Sequence, residues 1–177
     1  MLEEHIQKII ELRHEAPYSI LGPHYVERER MLTIRAFLPR AERAYVLPAN
    51  GSARREMQRI HPDGLFVARI PGITMLEYRL LAIDAAGQSS TFHDPYAIHE
   101  PSFTHADSQA LQAGTLENLF AKLGAHLRVK EGVMGVNFTV WAPHASRVSV
   151  VGTFNEWDGR RHPLERLQAM DEWNRSQ

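Results

Sequence analysis

Hydrophobic residues near the start of the chain recur with the period of a helix. Four of them fall at positions i, i+4, i+7 and i+8, on one side of an α-helix: Leu2, Ile6, Ile9 and Ile10. The pattern predicts one amphipathic helix over residues 2–13. Pro17 is expected to end it, because proline has no backbone N–H for a helical hydrogen bond.

From about residue 30 the pattern changes to short runs of β-forming residues separated by turn signals. The predicted strands are 32–38, 44–47, 65–70 and 78–84. Turn signals such as Asn-Gly, Asp-Gly and Pro-Gly separate them. Short strands at this spacing are typical of an antiparallel sandwich and not of a βαβ sheet. The core of this sandwich is predicted to contain Tyr45 and Phe66.

The second half of the chain is less regular. Residues 92–118 contain prolines and many polar residues, which indicates a linker or covering segment, and a short helix is predicted within 116–123. Strands are predicted again at 136–141 and 148–152. The tail over 163–177 is polar, and its composition suits either a helix or a disordered segment.

Two stretches of the chain resemble each other. Residues 32–47 read LTIRAFLPRAERAYVL, and residues 136–151 read VNFTVWAPHASRVSVV. A Leu-Gly-x-His turn precedes each stretch and ends in His24 or His126, for which a structural hydrogen-bonding role is predicted. The glycines of the two turns are 102 positions apart, and the prolines inside the two stretches are 104 apart. This near-constant offset indicates two copies of one β module.

The second copy is shorter than the first. Only 34 residues follow its Pro143, and they contain no counterpart of the Asp-Gly-x-Phe or Tyr-Arg-Leu runs of the first copy. A sandwich without its closing strands exposes sheet edges and one apolar face. We therefore expect an all-β protein of two tandem Ig-like β-sandwiches, the second incomplete, with a short N-terminal helix. The expected parts are the helix at 1–16, the first sandwich at 17–98, a linker at 99–123, the partial second sandwich at 124–164 and a tail at 165–177.

Composition narrows the function classes. The formal net charge of −1 argues against a nucleic-acid partner. The chain has no cysteine, so disulfides and thiolate metal sites are excluded and the cytoplasm is the expected compartment. The acidic start lacks the features of a signal peptide, and no run reaches the ~20 apolar residues of a membrane helix. The ten histidines lack metal-ligand spacing and no glycine-rich phosphate loop occurs, so neither a metal nor another cofactor is expected.

Four motifs, in order along the chain, resemble those of one enzyme family. They are HEAPYSILGPH at 14–24, HDPYA at 93–97, LFAKLGAH at 119–126 and GVNFTVWAPHASRVSVVGTFNEWDGRRHPL at 135–164. Together they cover about residues 14–164, and the last motif is the most specific. By these motifs the chain resembles the N-terminal region of bacterial 1,4-alpha-glucan (glycogen) branching enzymes of the alpha-amylase superfamily.

The resemblance implies a parent enzyme of glycogen synthesis that cuts an alpha-1,4 chain and re-attaches it through an alpha-1,6 bond. It also implies that the first module influences the length of the chain transferred. The Asp-x-x-x-Asn-His and Gly-Phe-Arg-x-Asp motifs of the superfamily's catalytic (β/α)8 barrel do not occur in this sequence. We therefore expect no catalytic residue and no catalysis by this chain alone. The expected partners are an alpha-glucan and the catalytic barrel of the parent enzyme.

Trp157 is the main candidate for a glucan contact. It lies in the polar run 154–159, where a flat indole can stack on a glucose ring while Asn155 and Asp158 hydrogen-bond the sugar hydroxyls. In related starch-binding modules the matching tryptophan is a sugar platform, and the alternative for Trp157 is packing against the barrel. For Asn155 a turn-stabilising role is favoured over sugar binding. Trp141 lies in a predicted strand just before Pro143, and a core or inter-sheet position is favoured for it over a binding one.

The predicted function is alpha-glucan recognition and positioning on behalf of a branching enzyme. Two alternatives remain open at this stage. One is a structurally incomplete product that binds nothing. The other is a stand-alone glucan-binding module, which requires the second sandwich to be complete.

Overall fold

Strands account for most of the regular secondary structure. The computed structural model describes residues 2–98, 103–130 and 132–167. The helices are α1 (Leu2–Ile10), α2 (His105–Gln112) and α3 (Leu119–Lys122). The strands are β1 (Gly22–Val26), β2 (Met31–Phe37), β3 (Ala41–Pro48), β4 (Arg55–His61), β5 (Leu65–Pro71), β6 (Tyr78–Asp84), β7 (Ser89–Phe92), β8 (Gly124–Lys130) and β9 (Val133–Thr139). The predicted all-β class is confirmed.

The first seven strands form one antiparallel sheet in the order β1-β2-β5-β4-β3-β6-β7. β4 joins its two halves, because residues 55–57 pair with β3 while residues 58–61 pair with β5. The sheet curls, since β2 and β6 are not neighbours and yet contribute to the same buried cluster. That cluster includes Leu32, Ile34, Val46, Phe66, Ile70 and Leu80. Tyr45 and Phe66 are buried, as predicted.

α1 covers the opposite side of the sheet. Leu65 and Phe66 are consecutive on β5 and therefore point to opposite faces. Phe66 belongs to the main core, whereas Leu65 lies in a second buried cluster that also contains Ile9 of α1 and Phe37 of β2. The amphipathic pattern at the start of the chain thus forms the predicted helix and buries its apolar side against the first module.

The predicted end of this helix is wrong, because α1 stops at Ile10 and not near Pro17. Leu12 has a left-handed φ of 58°, and its N–H donates to the Ile9 carbonyl at 3.1 Å. The N–H of Arg13 donates to the Lys8 carbonyl at 2.8 Å. These two hydrogen bonds form a Schellman motif, which ends the helix before the chain reaches Pro17.

Several predictions for the second half of the chain need correction. The strand predicted at 148–152 is wrong, because this segment makes only one isolated bridge, between Ser149 and Pro163, and so lacks a partner strand among the described residues. The strand predicted at 136–141 is present as β9, which ends at Thr139, and the helix predicted within 116–123 shrinks to the four residues of α3. Residues 168–177 of the predicted tail lie outside the described residues.

The internal repeat is visible in the strand register. Gly22 pairs with Arg35 across β1 and β2, and Gly124 pairs with Thr139 across β8 and β9. The first members of these pairs are 102 positions apart and the second members 104 apart, which are the two offsets found in the sequence. The second hairpin is therefore two residues longer than the first, and otherwise has the same register.

The two copies differ in what covers them. One face of the β8-β9 hairpin carries only apolar side chains: Ala125, Leu127, Val129, Met134, Val136 and Phe138. The large ones among them are 40–75% exposed. Their first-copy counterparts Leu32 and Ile34 are buried in the main core. Among the described residues, this apolar face of the second copy is therefore open to solvent.

The prediction that Trp141 is a core residue is wrong, because its side chain is 51% exposed. Its repeat counterpart is Phe37, which is buried in the cluster beneath α1. Trp141 instead lies beside a cleft, where solvent reaches it. Within the described ranges, no helix has the length and apolar character needed to cross a membrane.

Candidate functional site

Trp157 lies on a tight loop of the second copy, here called the Trp157 loop and defined as residues 152–159. Its side chain is 67% exposed. The main chain is fixed nonetheless, because the Trp157 N–H donates to the Gly152 carbonyl at 2.9 Å. Glu156 and Trp157 are consecutive residues with positive φ, 56° and 60°, which is uncommon for residues other than glycine. The loop therefore presents a solvent-exposed indole on a constrained backbone.

Asn155 holds this loop together from inside. It is fully buried, and its Oδ1 accepts the Gly152 N–H at 2.9 Å. Its Nδ2 donates to the Val150 carbonyl at 2.8 Å and lies 3.0 Å from Nδ1 of His162. Both ends of the side-chain amide thus have partners within the protein. This geometry matches the turn-stabilising role that the sequence favours for Asn155.

His162 completes the interior of the loop. An Asn155 Nδ2 that donates to Nδ1 of His162 needs an unprotonated acceptor there, which places the imidazole proton on Nε2. Burial lowers the pKa of His162, and neighbouring Arg161 lowers it further. The neutral form is therefore favoured. The Phe154 ring packs edge-to-face on the imidazole with centroids 5.4 Å apart, and Phe154 remains largely exposed.

Asp158 is engaged by Arg160. Nε and Nη2 of Arg160 donate to the carboxylate at 2.9 and 2.7 Å, and the Arg160 N–H adds a third hydrogen bond at 3.0 Å. The hydrogen bond from the Arg160 side chain is the largest cause that lowers the pKa of Asp158 to about 2. The Asp158 side chain is nearly buried, and its carboxylate is occupied by the contact with Arg160.

An ion pair ties the Trp157 loop to the first module. Glu156 contacts Arg40, which lies between β2 and β3, and Arg161 lies 3.9 Å from the same carboxylate. Arg160 and Pro163 also line a small crevice together with Phe37 and Tyr96 of the first module. The backbone of the Trp157 loop is therefore held next to the first module by its neighbours, while the indole itself stays exposed.

The three residues that the sequence predicts for the glucan site lie together in the Trp157 loop, but their surroundings differ. Only Trp157 among them is open to solvent, whereas Asn155 and Asp158 have partners in the protein. Sequence reasoning missed Phe154 and His162, although both belong to the Val-Gly-x-Phe-Asn-x-Trp-Asp-Gly-Arg-x-His run. Among the described residues, no group of three or more His, Asp or Glu side chains has metal-binding geometry.

Two protein families match this chain in succession. Residues 2–96 match the family described as alpha-1,4-glucan branching enzyme GlgB, N-terminal domain. Residues 122–175 match Carbohydrate-binding module 48 (Isoamylase N-terminal domain). The first match covers the seven-stranded sheet with α1, and the second covers the β8-β9 hairpin and the Trp157 loop.

Full-length relatives give the same assignment. The protein called 1,4-alpha-glucan branching enzyme GlgB in Paramagnetospirillum magneticum is 45% identical over 91% of this chain and 21% of its own length. The proteins of the same name in Methylococcus capsulatus and Rubrobacter xylanophilus are both 41% identical, over 97% and 92% of this chain. The chain spans about a fifth of the length of these relatives. Residues 122–175 also match Carbohydrate-binding module 48. The chain belongs to the family of alpha-1,4-glucan branching enzyme GlgB N-terminal domains.

Proposed function

We propose that this chain recognises and positions an alpha-glucan for a 1,4-alpha-glucan branching enzyme of glycogen synthesis. The observation that carries the proposal is the exposed indole of Trp157 on a loop whose backbone is fixed by internal hydrogen bonds. An indole offers a flat apolar surface that suits the C–H face of a glucose ring, and its N–H can bind a hydroxyl. A side chain held ready on a rigid loop loses little conformational entropy on binding.

The three candidate residues have different roles in this proposal. Trp157 contacts the sugar. Asn155 and Asp158 act by shaping the loop, because their polar groups are hydrogen-bonded to Gly152, Val150, His162 and Arg160. Phe154 adds a second exposed aromatic ring on the same loop. The alternative, in which Trp157 packs on a catalytic barrel, predicts no loss of glucan binding when the indole is removed.

We also propose that catalysis resides outside these residues. Retaining chemistry on a glucan needs a carboxylate nucleophile and a carboxylic acid about 5–5.5 Å apart. We assign no such pair to this chain and place the transfer reaction in a catalytic barrel, which is the proposed protein partner. The uncovered apolar face of the β8-β9 hairpin supplies surface for further packing. With no cysteine in the chain, we propose the cytoplasm as its compartment.

Affinity electrophoresis through gels that contain glycogen tests the proposal against the non-binding alternative. The chain is expected to be retarded relative to a reference protein that does not bind glucan, and retardation should increase with glycogen concentration. Mobility independent of glycogen would reject the proposed function. A parallel assay on amylose should detect no new alpha-1,6 branches, and measurable branching by this chain would reject the non-catalytic assignment.

A further inference from the structure

A second candidate site lies where the two copies meet, away from the Trp157 loop. It is a cleft of about 300 Å³, here called the Trp141 cleft. Most of its walls come from residues within 12–18, which lead into the first module, from residues within 137–148 at and after the end of β9, and from residues within 163–167. Ile98, Phe103, Ser108 and Leu123 complete the lining. The volume is at the lower end of the range for small-molecule sites.

Main-chain hydrogen bonds build this cleft. The Arg166 N–H donates to the Glu15 carbonyl at 2.9 Å and so joins the second copy to the first. The Leu164 N–H donates to the Val148 carbonyl at 2.9 Å and fixes the opposite end of the same segment. The walls of the cleft are therefore main-chain segments from both copies that are joined by hydrogen bonds.

Trp141 gives the cleft an aromatic surface. Its side chain is half-exposed and lines the cleft, whereas its repeat counterpart Phe37 is buried beneath α1. Asn137 and Thr139 alternate with it along the chain and line the same cleft, and their side chains are hydrogen-bonded to each other at 3.2 Å. An aromatic ring beside amide and hydroxyl groups is a suitable lining for a ligand with both apolar faces and hydroxyls.

The charges around the cleft are mixed. Its lining includes three arginines and two glutamates: Arg13, Arg147, Arg166, Glu15 and Glu165. Charges of opposite sign that nearly cancel favour a neutral ligand over a polyanion or a polycation. Guanidinium and carboxylate groups also supply donors and acceptors for vicinal hydroxyls.

We propose that the Trp141 cleft is a second subsite for an alpha-glucan, with Trp141 as the stacking surface and Asn137 and Thr139 beside it. A short glucosyl segment fits the volume, the near-neutral charge balance and the mixture of aromatic and polar groups. The choice of an alpha-glucan among neutral saccharides rests on the proposed function of the Trp157 loop. Because both copies supply its walls, the subsite exists only when the two are joined in one chain.

Two single-tryptophan proteins test the subsite separately from the Trp157 loop. The chain contains three tryptophans. The first protein carries Trp157→Phe and Trp173→Phe and keeps Trp141 as its only indole. The second carries Trp141→Phe and Trp173→Phe and keeps Trp157 as its only indole. Each protein is titrated with maltoheptaose while its fluorescence emission is recorded. Both are expected to show a saturable shift to shorter wavelengths, because stacking on a sugar removes water from the indole.

The outcomes separate the two proposals. A shift only in the Trp157 protein would overturn the Trp141 subsite and leave the proposed function standing. A shift only in the Trp141 protein would support the subsite and overturn the assignment of Trp157. No shift in either protein would overturn both. Ser146→Leu, which adds side-chain volume at the wall of the cleft, is expected to weaken the Trp141 response and to leave the Trp157 response unchanged; an undiminished Trp141 response would place the ligand elsewhere.

Discussion

His24 and His126, 102 residues apart, make the same hydrogen bond. Nε2 of His24 lies 3.0 Å from the carbonyl oxygen of Leu21, and Nε2 of His126 lies 2.8 Å from that of Leu123. Each ring thus closes the turn that leads into the first strand of its copy. The glycine inside each turn has positive φ, 86° at Gly22 and 103° at Gly124. The same turn therefore starts both copies, although the described apolar face of the second copy is exposed and that of the first is buried.

Gly22→Ala is expected to destabilise the first module strongly. A Cβ at this position would lie 2.4 Å from the Tyr96 carbonyl oxygen, in addition to the left-handed backbone. Gly72→Ala is the matched control, because Gly72 has φ of +73° and open space around its Cβ. We expect a loss of about 1–2 kcal/mol for Gly72→Ala and a larger loss for Gly22→Ala in urea unfolding. Equal losses would show that the contact with Tyr96 is unimportant.

Asn155→Ala is expected to loosen the Trp157 loop. The substitution leaves the Gly152 N–H and the Val150 carbonyl without their side-chain partner, at a cost of about 1–3 kcal/mol for each buried group left unpaired. Amide hydrogen exchange of the Trp157 N–H should become faster, and binding to glycogen should weaken although Asn155 is buried. Unchanged exchange at Trp157 would contradict the scaffold role of Asn155.

Arg160→Ala is expected to raise the pKa of Asp158 from about 2 toward its ordinary value of 3.8. Because the folded pKa lies below the unfolded one, the stabilisation from this pair is complete above about pH 4 and is lost as the pH falls toward 2. NMR titration of the Asp158 carboxyl carbon measures the shift. An unchanged midpoint in the variant would mean that Arg160 does not control this carboxylate.

Tyr78→Phe is expected to destabilise the first module in a pH-dependent way. The Tyr78 hydroxyl donates to the buried Asp94 carboxylate at 2.6 Å, and burial raises the pKa of Asp94 while this hydrogen bond opposes the rise. Loss of the donor raises the folded pKa further above the unfolded value. The stability of the variant relative to wild type should therefore fall as the pH rises through the folded pKa of wild-type Asp94, which burial holds above its ordinary value of 3.8.

Urea unfolding at pH 4 and pH 7 measures this effect. Tyr25→Phe is the control, since Tyr25 lies at the exposed end of β1 and should show little change at either pH. A Tyr78→Phe deficit that is the same at both pH values would contradict the role of its hydroxyl in holding the Asp94 carboxylate.

The sequence pattern predicted strands best where alternation coincided with burial. The strand predicted at 78–84 has the bounds of β6, whose alternate residues Tyr78 and Leu80 are buried. β4 was missed because Met57 is its only buried residue and polar or charged side chains occupy every other position except Ile60. α2 was missed inside the predicted linker because it buries no residue, and a capping box between Thr104 and Asp107 stabilises its start.

The sequence predicted which residues lie together in the candidate site, but not how their side chains are arranged. The motif placed Asn155, Trp157 and Asp158 in one loop, but their spacing did not show that two of the three have protein partners. That distinction depends on His162 and Arg160, which approach only when the chain folds back. Trp141 was predicted to occupy a core or inter-sheet position because it lies in a predicted strand just before Pro143, and its exposure depends on which residues cover it in three dimensions.

The central claim is that the Trp157 indole binds an alpha-glucan, and affinity electrophoresis of two alanine variants in glycogen gels tests it most directly. Phe120→Ala is the matched control, because Phe120 is also a highly exposed aromatic but lies outside both the Trp157 loop and the Trp141 cleft. Trp157→Ala should weaken apparent binding by about tenfold, or ~1.4 kcal/mol, while Phe120→Ala migrates like wild type. Equal retardation of wild type, Phe120→Ala and Trp157→Ala would contradict the claim.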